Sequence, residues 1–235
     1  MARAGLKSVV EIFKTQLKWM AVVWDDQTRV NRLSFYNDSR KKALEAVREF
    51  LTTETAVHVG SSIVARKLIK YAQGQETTFS EIALAPCSTE FQQQVRTACR
   101  EVGYGQITTY GELAERAKSP KAARAVGLCM RNNPVPIIVP CHRVVGSTGR
   151  LIGFSAGPGV LLKQQMLKLE GVNREFVRSV DRNDVIDDDV QSMHSMACDA
   201  YESLHPWPVH PLAKQDGDHP WFGLHHHRAG GQLGS

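Results

Sequence analysis

The sequence predicts an α/β protein: an N-terminal domain with a small antiparallel sheet and helices, followed by a helical domain that contains a helix-turn-helix. Two apolar runs flank a cluster of turn residues early in the chain, which is the pattern of a β-hairpin. Farther along, apolar residues recur every three or four positions, as in helices that bury one face. The 235 residues are 42% hydrophobic and 23% charged, which is typical of globular proteins.

Residues 1–86 are predicted to form a small α/β domain. Its expected elements are, in order, a hairpin at 18–24 and 30–35, a helix from Asp38 or Ser39 through Leu51, a helix from Ser61 or Ser62 that ends before Gly74, and a short strand at 82–84. We find no catalytic motif in this part of the sequence. It is therefore interpreted as a scaffold.

Residues 87–178 are predicted to form the helical domain. Its expected elements are a helix from Ser88 to Gly103, a helix from the capping box Thr109–Glu112 to Ala117, and a helix over 121–131 opened by Ser119-Pro120. Two short helices joined by a tight turn suggest a helix-turn-helix, although such pairs also occur in ordinary helical packing.

The body of the chain is basic, and the segment 179–235 is acidic. Residues 1–178 hold 26 Lys and Arg against 15 Asp and Glu, a net of +11, whereas residues 179–235 hold 3 against 9. A basic body attracts polyanions, of which nucleic acid is the commonest. The acidic segment holds seven of the nine histidines and little apolar periodicity, so it is predicted to be a disordered tail without a defined metal site.

The apolar stretches are too short to span a bilayer, and charged residues interrupt the N-terminal apolar sequence. We therefore expect an intracellular protein, in the cytoplasm or the nucleus. The five cysteines form an odd set without CxxC spacing, which argues against a disulfide framework and a cysteine-rich zinc module.

The predicted helix over 121–131 has unusually small side chains on its surface. Ala123, Ala125 and Gly127 surround Arg124, which stands alone among them. Small residues usually indicate tight packing in a core, but an isolated arginine fits a core poorly. The alternative is a helix that approaches a partner closely.

The segment 133–145 carries the clearest chemical signal. Three prolines prevent a regular helix and present Cys141 from a stiff apolar stretch. A thiol needs a base or a nearby positive charge to react at neutral pH, and His142 and Arg143 follow it directly. Without further support, a buried and inert cysteine would be the default interpretation.

Three motifs in this region closely resemble the O6-alkylguanine-DNA alkyltransferases. They are Pro140-Cys141-His142-Arg143-Val144, the preceding Asn133-Pro134-Val135-Pro136, and Lys121-Ala122-Ala123-Arg124-Ala125-Val126-Gly127. Their order and spacing also look like that family, and the likeness extends from about Phe91 to Gly171.

The resemblance implies a suicide repair protein that flips an O6-alkylated guanine out of double-stranded DNA and takes the alkyl group onto cysteine. Cys141 would be the acceptor, and His142 would be the base that acts through a water. Glu170 would orient that histidine, and Asn133 would tie the recognition helix to the active-site segment. Tyr110 would help rotate the target phosphate and donate a proton toward O6. Extruding a base costs a few kcal/mol, and an intercalating Arg124 would partly offset that cost.

The resemblance also implies further contacts. The DNA-binding residues would include Ser119, Tyr110, Ala123, Ala125, Gly127 and Ser147, and the pocket would include Val144, Phe154, Ser155 and Ala156. Many members of the family have Tyr-Ser-Gly-Gly where this chain has Phe154-Ser155-Ala156-Gly157, which leaves the acceptance of bulky groups open. No cofactor and no metal are expected, and the protein is expected to act as a monomer.

Three alternative functions remain open from the sequence. A non-catalytic alkyltransferase-like protein would bind the lesion but would lack the cysteine, so Cys141 argues against it. A helix-turn-helix regulator would read the major groove with varied polar side chains, which the bare helix lacks. A thiol hydrolase would use Cys141 and His142, but no oxyanion-hole motif accompanies them.

Overall fold

The computed structural model describes residues 8–25, 28–51 and 55–172, and it has the mixed α/β architecture predicted from the sequence. Its first half contains four strands and two helices, which are β1 (Val9–Thr15), β2 (Lys18–Trp24), β3 (Val30–Asn37), α1 (Arg40–Glu45), β4 (Ala56–Val59) and α2 (Ile63–Ala72). Its second half contains α3 (Glu90–Arg100), β5 (Thr108–Thr109), α4 (Tyr110–Arg116), α5 (Ala123–Arg131), β6 (Val144–Val145) and α6 (Val160–Leu169).

The four strands of the first half form one sheet in the order β3-β2-β1-β4. The predicted hairpin is present, since β2 and β3 pair antiparallel, and β1 pairs antiparallel with β2. On its other side β1 pairs parallel with β4. β1 and β4 were not predicted from the sequence. The short strand predicted at 82–84 was wrong in extent, because the structure has only a single bridge there, between Leu84 and Val30.

Side-chain caps fix where several helices begin. Ser62 accepts a hydrogen bond from the Ala65 amide at the start of α2, and Thr89 and Thr109 form capping boxes at α3 and α4. The carboxylate of Glu11, buried in β1, accepts the amides of Ser61 and Ser62 at 2.6 and 2.8 Å. The sheet therefore holds the N-terminal end of α2.

Two predicted helices differ from the structure. The helix expected through Leu51 is capped by Ser39 but ends at Glu45, and a 3-10 turn, Arg48–Phe50, follows it. The helix expected from Lys121 begins at Ala123 without a side-chain cap. A turn precedes it, in which the Ala122 amide donates to the carbonyl of Ser119.

The largest buried cluster draws side chains from both sides of residue 86. It joins Met20 and Val22 of the sheet and Leu68 of α2 to Val95 of α3 and Met166 of α6. The division at 86/87 remains a prediction, and the predicted tail at 179–235 lies outside the described residues. Within the described ranges, no helix is long and apolar enough to cross a membrane.

Candidate active site

Cys141 opens a single 3-10 turn, Cys141–Arg143, and only 5% of its surface is exposed. Burial raises the pKa of its thiol, because a thiolate loses hydration inside the protein. A hydrogen bond with the Asn133 side chain and the charge of Lys163 oppose that rise. The side-chain amide of Asn133 also donates to the backbone carbonyl of Val139, from Nδ2 at 2.8 Å. This side chain therefore ties the end of α5 to the segment that carries Cys141.

His142 is fully buried, and its two ring nitrogens have different surroundings. Nε2 lies 2.6 Å from Oε1 of Glu170 and 3.1 Å from the hydroxyl of Tyr71. Nδ1 is buried and has no hydrogen-bond partner among the residues that the structure describes. Burial lowers the pKa of this histidine, while the hydrogen bond with Glu170 opposes the change. The imidazole is therefore held at one edge and has a free proton-accepting atom at the other.

Glu170 follows α6 directly and receives several donors. Arg143 donates to both of its oxygens, from Nε at 2.9 Å and from Nη2 at 3.0 Å, and the amide of Gly105 donates at 3.2 Å. Burial raises the pKa of the carboxyl, but the hydrogen bonds and charges of His142 and Arg143 outweigh it and bring it to about 2. Glu170 is therefore ionised at neutral pH, which makes it a pure acceptor.

A second buried cation lies beside the cysteine segment. Lys163 of α6 is 0% exposed, and its Nζ donates to the carbonyls of Val144 and Ile152 at 2.6 and 2.8 Å. Burial lowers its pKa to about 8. Nζ also lies 5.8 Å from the ring centre of Tyr110, whose hydroxyl donates to the Ile152 carbonyl at 3.3 Å. Burial raises the pKa of Tyr110, so this phenol retains its proton at neutral pH.

Three of the expected pocket residues, Phe154, Ser155 and Ala156, lie in the loop before α6, and Val144 lies in β6. Val144 is fully buried, and Phe154 and Ala156 pack against the main core. The hydroxyl of Ser155 donates to the carbonyl of Arg131 at 2.9 Å, which links this loop to the end of α5.

The expected DNA-contacting residues lie on and around the α4–α5 pair. Val126 and Met130 bury one side of α5, while Arg124 and Ala125 are exposed. The remaining members are half-buried or exposed, and they are Ser119, Ala123, Gly127 and Ser147. The exposure of Arg124 favours the close approach of this helix to a partner over its packing in a core.

Two buried groups were missed by the sequence analysis, Tyr71 and Lys163. The helical spacing from Val64 and Leu68 places Tyr71 on the buried face of α2, but that signal indicates packing rather than chemistry. The first part of the chain supplies a hydroxyl that contacts the His142–Glu170 pair. Within residues 8–25, 28–51 and 55–172, no group of three His, Cys, Asp or Glu side chains is placed to hold a metal ion.

Comparisons with known proteins show which family the chain is similar to. Residues 90–172 match the family model described as 6-O-methylguanine DNA methyltransferase, DNA binding domain. The chain is 43% identical over 131 residues to the methylated-DNA–protein-cysteine methyltransferase of Methanosarcina acetivorans, covering 56% of this chain and 80% of that protein. It is 47% identical over 110 residues to the protein of the same name from Methanosarcina mazei, and the match covers 47% of this chain and 68% of that protein. The crystal structure of Mycobacterium tuberculosis OGT in complex with DNA matches with a TM-score of 0.57 and 29% identity, covering 72% of this chain and 94% of that one.

Proposed function

Because the chain belongs to the methylated-DNA–protein-cysteine methyltransferase family, we propose that it repairs O6-alkylguanine in double-stranded DNA by moving the alkyl group onto its own Cys141. The transfer is stoichiometric and irreversible, and it needs no cofactor. O6-methylguanine is the main substrate. The protein acts as a monomer in whichever compartment holds the DNA.

The observation that carries this proposal is the arrangement around Cys141. A buried thiol is adjacent to a buried imidazole whose Nε2 is bonded to an ionised carboxylate and whose Nδ1 has no partner among the described residues. The Cys141 proton passes to Nδ1 through a bridging water, as the family resemblance implies. Ionised Glu170 stabilises the resulting imidazolium, which a buried histidine would otherwise resist.

The reaction is a single in-line displacement. The sulfur of Cys141 attacks the alkyl carbon, a carbon–sulfur bond forms, and the bond from that carbon to guanine O6 breaks. The departing guanine takes the electron pair and receives a proton from the Tyr110 hydroxyl. The product on the protein is a thioether, which has no good leaving group, so each molecule reacts once.

DNA approaches over the exposed face of α5. The small residues on this face allow the helix into the minor groove, and Arg124 enters the base stack in place of the extruded guanine. The loop that carries Phe154, Ser155 and Ala156 forms the wall of the pocket that receives the flipped base.

Peptide mass mapping after incubation with a duplex that contains one O6-methylguanine tests the proposal. One added methyl is expected on Cys141, at no more than one equivalent per protein. Cys141→Ala should bind the duplex without removing the methyl, whereas Cys129→Ala, at a half-buried cysteine, serves as the matched control and should react normally. A methyl on Cys129, or turnover beyond one equivalent, would contradict the proposal, and lesion binding without any transfer would support the non-catalytic alternative.

A further inference from the structure

Tyr71 connects the first half of the chain to the reacting groups. It lies near the end of α2 and is 0% exposed. Its hydroxyl donates to Oε1 of Glu170 at 2.8 Å and lies 3.1 Å from Nε2 of His142, although 99 and 71 positions of sequence separate these partners. Its ring also meets the imidazole edge-on, with 6.1 Å between ring centres.

The donors and acceptors of this cluster leave one consistent assignment of protons. Ionised Glu170 can only accept, so the hydroxyl proton of Tyr71 points to Oε1. Nε2 of His142, at 2.6 Å from the same oxygen, must then carry the ring proton. A neutral imidazole has one N–H, so Nδ1 has the lone pair that can accept the thiol proton.

Tyr71 adds a constraint that Glu170 alone does not provide. A lone pair of its hydroxyl oxygen faces the Nε2 proton, so both the carboxylate and the phenol favour the same orientation of the imidazole. A ring flipped by 180° would direct carbon at these two oxygens and would lose both contacts. Burial raises the pKa of Tyr71 well above its usual value, so the hydroxyl retains its proton throughout the working pH range.

The position of Tyr71 is itself fixed from several sides. Its ring packs edge-on against Phe79 and Tyr104, with centroids 6.4 and 6.2 Å away. At the other end of the helix, Glu11 of β1 binds the amides of Ser61 and Ser62. The hydroxyl is thus presented from a helix held at both ends.

We propose that Tyr71 is a positioning residue for alkyl transfer, which together with Glu170 holds His142 in the ring orientation that leaves Nδ1 free to accept the thiol proton of Cys141. The inference rests on the proposed function of Cys141. It assigns a role in the reaction to the N-terminal α/β part of the chain.

The pH dependence of this assembly involves the charged and titratable groups that face His142 among the described residues. They are Tyr71 from α2, Glu170 after α6, Lys163 from α6, and Cys141 and Arg143 on its own turn. Tyr71→Phe retains every charge among them and removes one hydroxyl. A change in the pH profile of the variant therefore reports on the lost hydroxyl contacts with His142 and Glu170 rather than on an altered net charge.

Tyr104→Phe supplies the matched control. The Tyr104 hydroxyl lies within 2.9 and 3.1 Å of the backbone carbonyls of Gly74 and Leu169, so it joins the same elements without bonding a side chain of the reacting cluster. With saturating O6-methylguanine duplex, Tyr71→Phe should transfer about tenfold more slowly at neutral pH. The pH at which its rate is half-maximal should lie higher than in wild type, because Glu170 loses one donor and its carboxylate then stabilises the imidazolium of His142 more strongly. Tyr104→Phe should stay within about twofold, with an unchanged profile.

Nitrogen-15 NMR of histidine-labelled protein provides a measurement that needs no DNA. The inference requires His142 to carry its proton on Nε2 in wild type, and it requires Tyr71→Phe to shift the ring-nitrogen resonances of His142, which Tyr104→Phe should leave unchanged. A proton on Nδ1 in wild type would overturn it, as would equal losses of rate in both variants with unshifted pH profiles. Failure of wild type to methylate Cys141 would instead refute the proposed function, and the NMR comparison would still decide the role of Tyr71.

Discussion

The guanidinium of Arg143 donates to both carboxylate oxygens of Glu170, and both side chains lie inside the protein. A third contact, from Nη1 of Arg143 to the carbonyl of Val102 at 2.6 Å, fixes the guanidinium from the opposite side. The pair therefore sets the position of the carboxylate to which His142 is bonded.

Glu170→Gln is expected to lower the free energy of unfolding at pH 7 by about 3–5 kcal/mol, because it leaves a buried arginine without its counter-charge. The folded-state pKa of Glu170 is about 2, below the usual value near 4.3, so its stabilising contribution is present above about pH 5 and is lost as pH falls toward 2. Urea denaturation at several pH values should show the difference from wild type shrinking across that range.

Asp38→Asn is the matched control for this substitution. The pKa of Asp38 is also lowered to about 2, by hydrogen bonds from Lys18 and Lys42, but this carboxylate is exposed at the surface. Solvent screens such pairs, so only a small loss of stability is expected. Equal losses in both variants would contradict the importance assigned to burial of the Arg143–Glu170 pair.

Arg124→Ala is expected to reduce the rate of transfer at saturating DNA about tenfold while changing affinity much less. The exposed side chain is proposed to fill the gap that the flipped guanine leaves in the base stack, which offsets part of the free-energy cost of flipping. Losing about 1.4 kcal/mol of this offset slows the reaction about tenfold. Single-turnover kinetics on duplex DNA and on free O6-benzylguanine measure the effect, provided that the pocket accepts the free base, which needs no flipping. Lys121→Ala, at an exposed residue just before the same helix, is the control for general charge attraction. Equal losses on both substrates would place Arg124 in the pocket instead.

Lys163→Met is expected to abolish the increase in the free energy of unfolding that wild type gains from this lysine as pH rises. The folded-state pKa of Lys163 is about 8 against an ordinary 10.5, so the buried charge destabilises the fold below pH 8, and this cost disappears as pH rises toward 10.5. Relative to wild type, the methionine variant should become less stable by up to about 3 kcal/mol between pH 7 and pH 10. Denaturation at these two pH values measures the change, with the exposed Lys168→Met as control. A constant difference between variant and wild type would refute this explanation.

Gly157→Ala and Gly111→Ala are expected to change stability in opposite directions. A Cβ at Gly157 would lie 2.8 Å from Cδ1 of Tyr36 and 2.9 Å from Cδ2 of Leu162, at a φ of +50°, so a loss of about 1–3 kcal/mol is expected. At Gly111, in α4, the nearest atom is 3.8 Å away, and alanine should stabilise the helix by up to about 1 kcal/mol. Thermal unfolding measures both changes, and a stabilised Gly157→Ala would disprove the proposed close contact with Tyr36.

Local signals in the sequence predicted the parts of the fold that depend on neighbouring residues. The capping box at Thr109 and Glu112 is confirmed, as are the cap at Ser62 and the hairpin of β2 and β3. Each of these features is decided within a few positions of sequence. Cys141 and His142 are neighbours in sequence, so a local motif was enough to single them out. Glu170 lies 28 positions after His142 and was assigned through family resemblance.

Features that depend on distant partners were missed. β1 contains Glu11 amid apolar residues, and only its contact with Ser61 and Ser62, fifty positions later, explains how that carboxylate is buried. The start of α5 was placed too early because the chain first makes a turn, closed by the hydrogen bond from the Ala122 amide to the Ser119 carbonyl, and the helix begins only at Ala123. Tyr71 was missed for the same reason, since its partners lie 71 and 99 positions away.

The distance along the chain between Tyr71 and Glu170 also sets when the surroundings of His142 are completed during synthesis. Cys141 and His142 leave the ribosome before Glu170 does, so the carboxylate that holds His142 is in place only after α6 packs onto the core. For the proposed reaction, which consumes the protein, this order means that the complete hydrogen-bonded assembly around His142 belongs only to the folded chain.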